Sequence, residues 1–427
     1  MILRVPSLLL RLFLLAGALA LAAALGYSSI RNARAVYESE QGNLAGYIKA
    51  TQLEPGNPLL WYLLGRYWQY NLEDPEPQRA IQAYRSSLAV DPRSANTWLD
   101  LAAAYESEGD LGKAREAFIQ ATRVYPISAE VSWRYGNFLL RQNELPEAFA
   151  QIHHALDADP LRAAEAFSRC WRVKPDVQEI LDRVLPANAG VYLAAIRELD
   201  SNQQIGSALI VWSRLVSLRP RLRIEDVFPF TQDLLQARRI SDARRVWDEA
   251  VLLGNIPSPG DAPGSVLWDG GFESNVHGGG FAWTLAPSSS GVQVGIDGMV
   301  KRSGKQSLRL GFDGKHNVNF SDVCHLAEVR PGTSYRFSGW VRTQSLTTTQ
   351  GIRFRLDSRD GPVETSDVHS TEPWTKIELA WTAGRDTHDV RVCVSRNPSD
   401  DFNARIQGTA WVDDVALVPE PPRSPKP

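Results

Sequence analysis

The sequence predicts a multidomain chain of α-then-β class: an N-terminal transmembrane-type helix, an all-α superhelical solenoid and a C-terminal β-sandwich. Three observations carry that prediction. Residues 8–25 are apolar apart from Arg11, apolar positions recur every 34 residues through 95–162, and from Val266 the apolar period changes to two. At 427 residues the chain can hold two or more cores. A net charge of −3 argues against nucleic-acid binding as a main activity. Three cysteines, with no CxxC and no Cys/His cluster, give no basis for a disulfide scaffold or a zinc site.

The N-terminal segment, residues 1–26, leaves two readings open. A cleaved signal peptide would use the small residues at 20–22 or 22–24. An uncleaved anchor would span with the 18 residues 8–25. The repeat register favours the anchor. Tyr47, Ala50 and Pro55 take positions 24, 27 and 32 of a first, degenerate repeat, so its opening helix begins near Tyr27, on the end of the apolar run. Arg31 and Arg34 nearly balance Arg4 and Arg11 under the positive-inside rule, so the charges alone do not orient the helix. The expected location is a bacterial inner membrane, crossed once with the N-terminus inside and the body in the periplasm. Secretion after cleavage is the alternative.

Residues 27–254 read as the solenoid. Trp98, Leu101, Ala102, Tyr105, Ala114, Phe118, Ala121 and Pro126 hold positions 4, 7, 8, 11, 20, 24, 27 and 32 of the copy at 95–128. Ser132, Tyr135, Gly136, Leu139, Ala148, Ile152, Ala155 and Pro160 hold them in the copy at 129–162. Large and small residues alternate as two helices packed face to face require, and a proline closes each copy. This stretch is identified as a member of the tetratricopeptide repeat (TPR) family. Further copies lie at 58–94, with about three extra residues near Asp74–Pro77, and at 189–222 and 224–254. The register lapses over 163–188. About six units imply a continuous right-handed superhelix with protein partners.

The resemblance also implies that the first helix of each unit lines a concave groove suited to an extended peptide. Tyr62, Arg66, Tyr70, Asn96, Leu99, Ala103, Glu106, Trp133, Asn137 and Arg141 fall on it. Relatives that clamp a C-terminal carboxylate use lysines and asparagines; only Asn137 matches, and Trp133 stands where a lysine is needed. His153 and His154 lie about 100° apart on a helix and cannot chelate one ion together. Cys170 reads as a small buried hydrophobe.

Residues 255–265 are Pro/Gly-rich and read as a linker. Alternating runs at 307–312, 334–342, 352–357, 376–381, 390–395 and 410–417 predict a sandwich of eight to ten strands over 266–419, with 420–427 a disordered tail. Residues 269–273 (DGGFE), 303–310 (SGKQSLRL), 329–340 (VRPGTSYRFSGW), Trp374 and 411–417 (WVDDVAL) resemble the CenC-like carbohydrate-binding modules. The resemblance implies a jelly roll of galactose-binding-like fold. Sugar binding stays open, because fold does not imply function. It further implies a structural calcium held by Glu273 and one of Asp413 and Asp414, against the plainer reading of turn and edge carboxylates. No other cofactor is implied.

Alternation puts Tyr335, Phe337, Val341, Ile352, Phe354, Leu356, Ile377, Leu379, Trp381, Val390, Val392 and Val394 in the core. The opposite phase holds Arg336, Trp340, Arg342, Arg353, Arg355 and Arg391, with Arg309 on another strand. These are expected to form one basic face for an acidic polysaccharide, with Trp340 stacking on a sugar ring. The competing reading is a solvated face whose arginines pair with Asp357 and Glu378. Phe281, Trp283 and Phe320 are alternative platforms. Cys324 and Cys393 lie on strands and leave a disulfide open.

No HExxH, GxSxG or P-loop occurs, and the adjacent pairs Asp400–Asp401 and Asp413–Asp414 are not two carboxylates converging across a cleft. No catalytic residue is assigned. The expected function is a non-catalytic, membrane-anchored scaffold in surface polysaccharide assembly or export, joining protein docking to glycan binding. Pure protein assembly, with the sandwich as a second docking domain, and an undetected glycan-modifying activity are the alternatives.

Overall fold

The computed structural model describes residues 8–71, 74–257, 262–285 and 291–421. The chain divides into two compact units, residues 1–186 and 187–427. The division falls where the repeat register lapses.

Unit 1 is a row of helical hairpins. Helix α1 (Leu8–Glu40) runs unbroken from the apolar stretch into the first hairpin, closed by α2 (Leu44–Leu53). Its apolar part is long enough to cross a membrane, with a mean hydropathy of 1.9 and no burial, and a signal sequence shares that property. Its second half packs on α2: Ala35 and Ala50 are buried with Leu60, and Arg31 pairs with Glu54 at 2.9 Å. Then follow α3 (Pro58–Tyr70), α4 (Pro77–Val90), α5 (Ala95–Ser107), α6 (Leu111–Val124), α7 (Ala129–Arg141), α8 (Leu145–Ala158), α9 (Ala163–Val173) and α10 (Val177–Arg183).

Local chemistry starts these helices where the repeat requires. The side chains of Ser94, Asp110 and Ser128 accept from the amides of Thr97, Lys113 and Val131, while prolines open α3, α4 and α8. Position 8 is small because position 24 of the same unit lies against it. A Cβ on Gly65 would come within 2.5 Å of the Tyr84 ring, and one on Gly136 within 2.7 Å of Ile152. Position 4 fastens the turn: Trp61 and Trp98 each donate an indole N–H, at 2.9 Å, to the carbonyl of Pro55 or Pro92 six residues earlier.

Unit 2 opens with two further hairpins, α11 (Ala189–Ser201) with α12 (Ile205–Ser217), and α13 (Phe228–Gln236) with α14 (Ile240–Leu253). The sandwich follows: β1 (Thr284–Leu285), β2 (Val292–Asp297), β3 (Ser307–Asp313), β4 (Phe320–Glu328) and β5 (Ser334–Gln344). It is completed by β6 (Arg353–Ser358), β7 (Gly361–Glu364), β8 (Glu372–Thr382), β9 (Asp389–Arg396) and β10 (Gln407–Pro419). One antiparallel sheet has the order β1-β4-β9-β6-β7 and the other β2-β3-β10-β5-β8. All the residues that alternation assigns to the core line the space between the sheets, Leu379 at its margin. Residues 258–261 of the expected linker and 422–427 of the expected tail lie outside the described residues. Glu420 is held rather than loose, its amide on the Ser334 carbonyl and its carboxylate on Arg336.

The sandwich is seated on the last hairpin. Trp247 of α14 is fully buried, with the rings of Trp268, Phe228 and Phe281 at 5.5, 6.0 and 6.4 Å. Gly280, at φ +57°, lies so close that a Cβ there would stand 2.3 Å from the Trp247 ring. Ser241 donates to Glu328 at 2.6 Å, and Arg244 lies over Phe281.

Candidate functional site

In unit 1 the first helices α3, α5 and α7 lie side by side and α9 continues the row, forming the face expected to be the concave groove. Polar contacts step along it by about one repeat. Asp100 accepts from Arg134 at 2.9 Å and from the Tyr62 hydroxyl at 3.0 Å. Arg141 makes two 2.8 Å bonds to Glu106, and Arg162 reaches Glu130 at 3.0 Å. Asn137 donates to the Trp133 carbonyl and accepts from Arg169, both at 2.8 Å. The guanidiniums of Arg162 and Arg169 lie 5.4 and 5.3 Å from the Trp133 ring. Arg66 lies over two rings, Tyr62 at 5.9 Å and Tyr70 at 5.6 Å. Burial first, and the Asp100 carboxylate second, push Tyr62 up to about 12 and shift Tyr70 the same way, so both phenols stay protonated donors.

Residues 72–118 and 104–163 match the tetratricopeptide repeat family. This region is built of TPR repeats. Among solved structures the chain is similar to YrrB, described as a TPR protein with an unusual peptide-binding site. It is 13% identical with a TM-score of 0.26, over 49% of this chain and 93% of that one. Among curated proteins, 193 residues are 27% identical to the tRNA(Glu)-specific nuclease WapA of Bacillus subtilis subsp. natto (strain BEST195), which is 42% of this chain and 8% of that protein. The chain thus spans less than a tenth of the length of that relative.

Of the expected groove residues, the TPR face presents Tyr62, Arg66, Tyr70 and Arg141, and Asn96 is exposed at the start of α5. Trp133 and Asn137 are buried in contacts to the next turn of the solenoid, and Leu99 is core. Sequence reasoning missed Asp100, Arg134 and Arg169. The signal was there for the first two: Asp100 and Arg134 hold the same position of successive repeats, 34 residues apart, with opposite charge. His153 and His154 take separate partners, Asp157 and Ser132.

In the sandwich the expected single basic face does not form. Arg336, Trp340 and Arg342 stand on β5, whereas Arg353 and Arg355 stand on β6 and Arg391 on β9, which belong to the other sheet. Alternation distinguishes inside from outside, but a sandwich has two outsides, and sheet membership is decided by pairing over long range. The arginines are also engaged: Arg336 with Glu420, Arg353 with Glu364 and Gln350, Arg355 with Asp357, and Arg342 over Trp411. Arg391 is exposed, opposite Asp357 in register. Arg309, on β3, lines the same sheet as Trp340. Phe281, Trp283 and Phe320 are buried and offer no platform. Phe281 lies against Trp247, and Trp283 packs on Phe272 at 4.9 Å.

The carboxylates expected at a calcium instead clamp the loop before β3. Glu273 accepts from the amides of Lys305 and Gln306, and buried Asp413 from those of Arg302, Ser303 and Asp414. Asp414 takes the Arg302 guanidinium and the Ser303 hydroxyl. Burial pushes Asp413 up to about 6, against the pull of these amides. The donors that surround the carboxylates are N–H and O–H groups, and a guanidinium already supplies the local cation, so the set does not fit a calcium ion. Among the described residues no group of three or more His, Cys, Asp or Glu side chains gathers to hold a metal.

Arg302 also lies 3.9 Å from the centre of the Trp340 ring, so a guanidinium covers the face that a sugar would need. Beside them opens a cleft of about 870 Å³, where Lys305 and Lys376 join Arg302. On the outer face of the other sheet, Cys324 and Cys393 pair in register on β4 and β9 and are bonded, with Cα atoms 4.1 Å apart. Cys170 is a buried free thiol.

Proposed function

We propose that this chain is a non-catalytic scaffold tethered to the cytoplasmic membrane of a bacterial envelope, whose TPR face docks an extended segment of another protein. The single observation that carries this reading is the concave face itself, a run of aromatic rings and guanidiniums presented by successive first helices. Two features support the placement. Helix α1 runs unbroken from the apolar segment into the residues that pack on α2, as an anchor continuous with the first hairpin would. The Cys324–Cys393 bridge suits an oxidising compartment outside the cytoplasm.

A photo-crosslinking amino acid at Tyr70, compared with one at Gln120 on a second helix of the solenoid, tests docking in intact cells. A protein adduct at position 70 and none at position 120 is expected. Absence of any adduct at 70 would overturn the reading.

A second element of the proposal is that the sandwich takes an acidic glycan, in surface polysaccharide assembly or export. The cleft beside Trp340 supports it: Asp414 and Glu273 are spent on the loop, leaving Lys305 to face an anionic chain, with Lys376, paired to Glu378 at 2.7 Å, beside it. Retardation of the chain in a gel containing polygalacturonate, lost in a Lys305→Ala/Lys376→Ala variant, is the expected outcome. Unretarded wild type would remove the glycan and leave protein assembly alone.

A further inference from the structure

The arginines of the concave face follow a rule that one of them breaks. Arg134 pairs with Asp100, Arg141 with Glu106, Arg162 with Glu130 and Arg169 with Glu165. Arg66 has no carboxylate within ion-pair distance among the described residues; its guanidinium lies instead over the rings of Tyr62 and Tyr70. The acid one repeat further on cannot serve it. Asp100 is almost fully buried, one oxygen bonded to Arg134 and the other to the Tyr62 hydroxyl.

We propose that Arg66 is the recognition point for an acidic side chain of the docked protein segment, a carboxylate that completes the ladder at its N-terminal end. The inference rests on the docking reading and deepens it. Two guanidiniums, Arg66 and Arg134, stand near one spent carboxylate, so the local field favours an incoming anion. The tyrosine rings flank the exposed Arg66 guanidinium, at 5.9 and 5.6 Å, and favour one placement of it. A guanidinium also prefers a planar carboxylate that accepts two parallel bonds. Tyr70, half exposed beside it, gives an apolar wall and a hydroxyl donor. The occupant is therefore an extended segment with Asp or Glu next to an apolar residue.

Selection from a random 12-residue phage-displayed peptide library on the full chain in detergent tests this. Wild type is expected to enrich peptides with Asp or Glu at one fixed position. On Arg66→Gln that acidic position should lose its enrichment while the apolar positions persist, and Arg66→Lys should keep it in weaker form. For one selected peptide, Arg66→Gln should weaken binding about tenfold, and replacing the peptide acid by its amide should add nothing further on that variant. Thermal melting of each variant confirms that it folds. Enriched peptides without a fixed acid, or an acid retained on Arg66→Gln, would overturn this inference and leave docking intact. No enrichment on wild type would sink the docking reading, and this inference with it.

Discussion

His325 is a residue that only the neutral form of the side chain explains. It points inward from β4 with no exposure, accepts the Trp268 amide at 3.1 Å and meets the edge of Trp283 at 5.2 Å. Burial, reinforced by the Arg244 charge, lowers its pKa to about 3. The folded state thus binds fewer protons than the unfolded one between pH 6.5 and 3, and stability must fall as pH falls through that window. The contribution is complete above pH 6.5 and is lost at about 1.4 kcal/mol per pH unit below it. Asp413, with its pKa raised to about 6, acts in the opposite sense between that pH and the ordinary carboxylate range. A His325→Gln variant separates the two, because glutamine can accept the same amide without titrating. In urea unfolding of residues 187–421, the wild type should lose ground to the variant below pH 6 and run parallel to it above pH 7. Parallel curves at every pH would show that His325 is not held neutral.

At the scale of elements, the TPR hairpins are set by one large–small exchange that the sequence displays openly. Position 8 yields to position 24, so Gly65→Ala pushes a methyl into the Tyr84 ring and should cost about 1–3 kcal/mol. Gly56, in the turn before α3, has nothing within 4 Å of its missing Cβ, and Gly56→Ala should stay within about 0.5 kcal/mol. Guanidinium unfolding followed by helical circular dichroism distinguishes the two; equal costs would refute the packing argument. The same openness holds for β3, β5, β6 and β9 and, outside the bulges at Glu372–Thr375 and Asp413–Ala416, for β8 and β10. It fails for β4, where a register shift between Phe320 and Val323 breaks the period, and for β1 and β7, which are too short to show one. The basic face and the calcium set failed for a related reason. Local phase cannot say which sheet a strand joins, and the Arg302–Asp414 clamp joins residues 112 apart.

At the scale of the molecule, the sandwich is not a module that ends where its strands end. The Pro/Gly-rich stretch around residue 260 invites a cut there, yet the residues on either side of it share a core. Trp247, fully buried, belongs to the helices, while Trp268 and Phe281, which pack against it, belong to the sandwich. Arg238 and Asp389, 3.8 Å apart, and Ser241 with Glu328 add polar ties across the same seam. A fragment of residues 266–421 would expose both rings. Each large side chain returned to water costs about 1.5–3 kcal/mol, so this fragment should be roughly 3–6 kcal/mol less stable than residues 187–421. It should also bind a hydrophobic dye that the longer fragment ignores. Comparable melting temperatures for the two fragments would mean that the seam contributes nothing. If the seam holds as described, glycan binding has to be assayed on residues 187–421, because the shorter fragment presents an apolar surface that would retain polymers for the wrong reason.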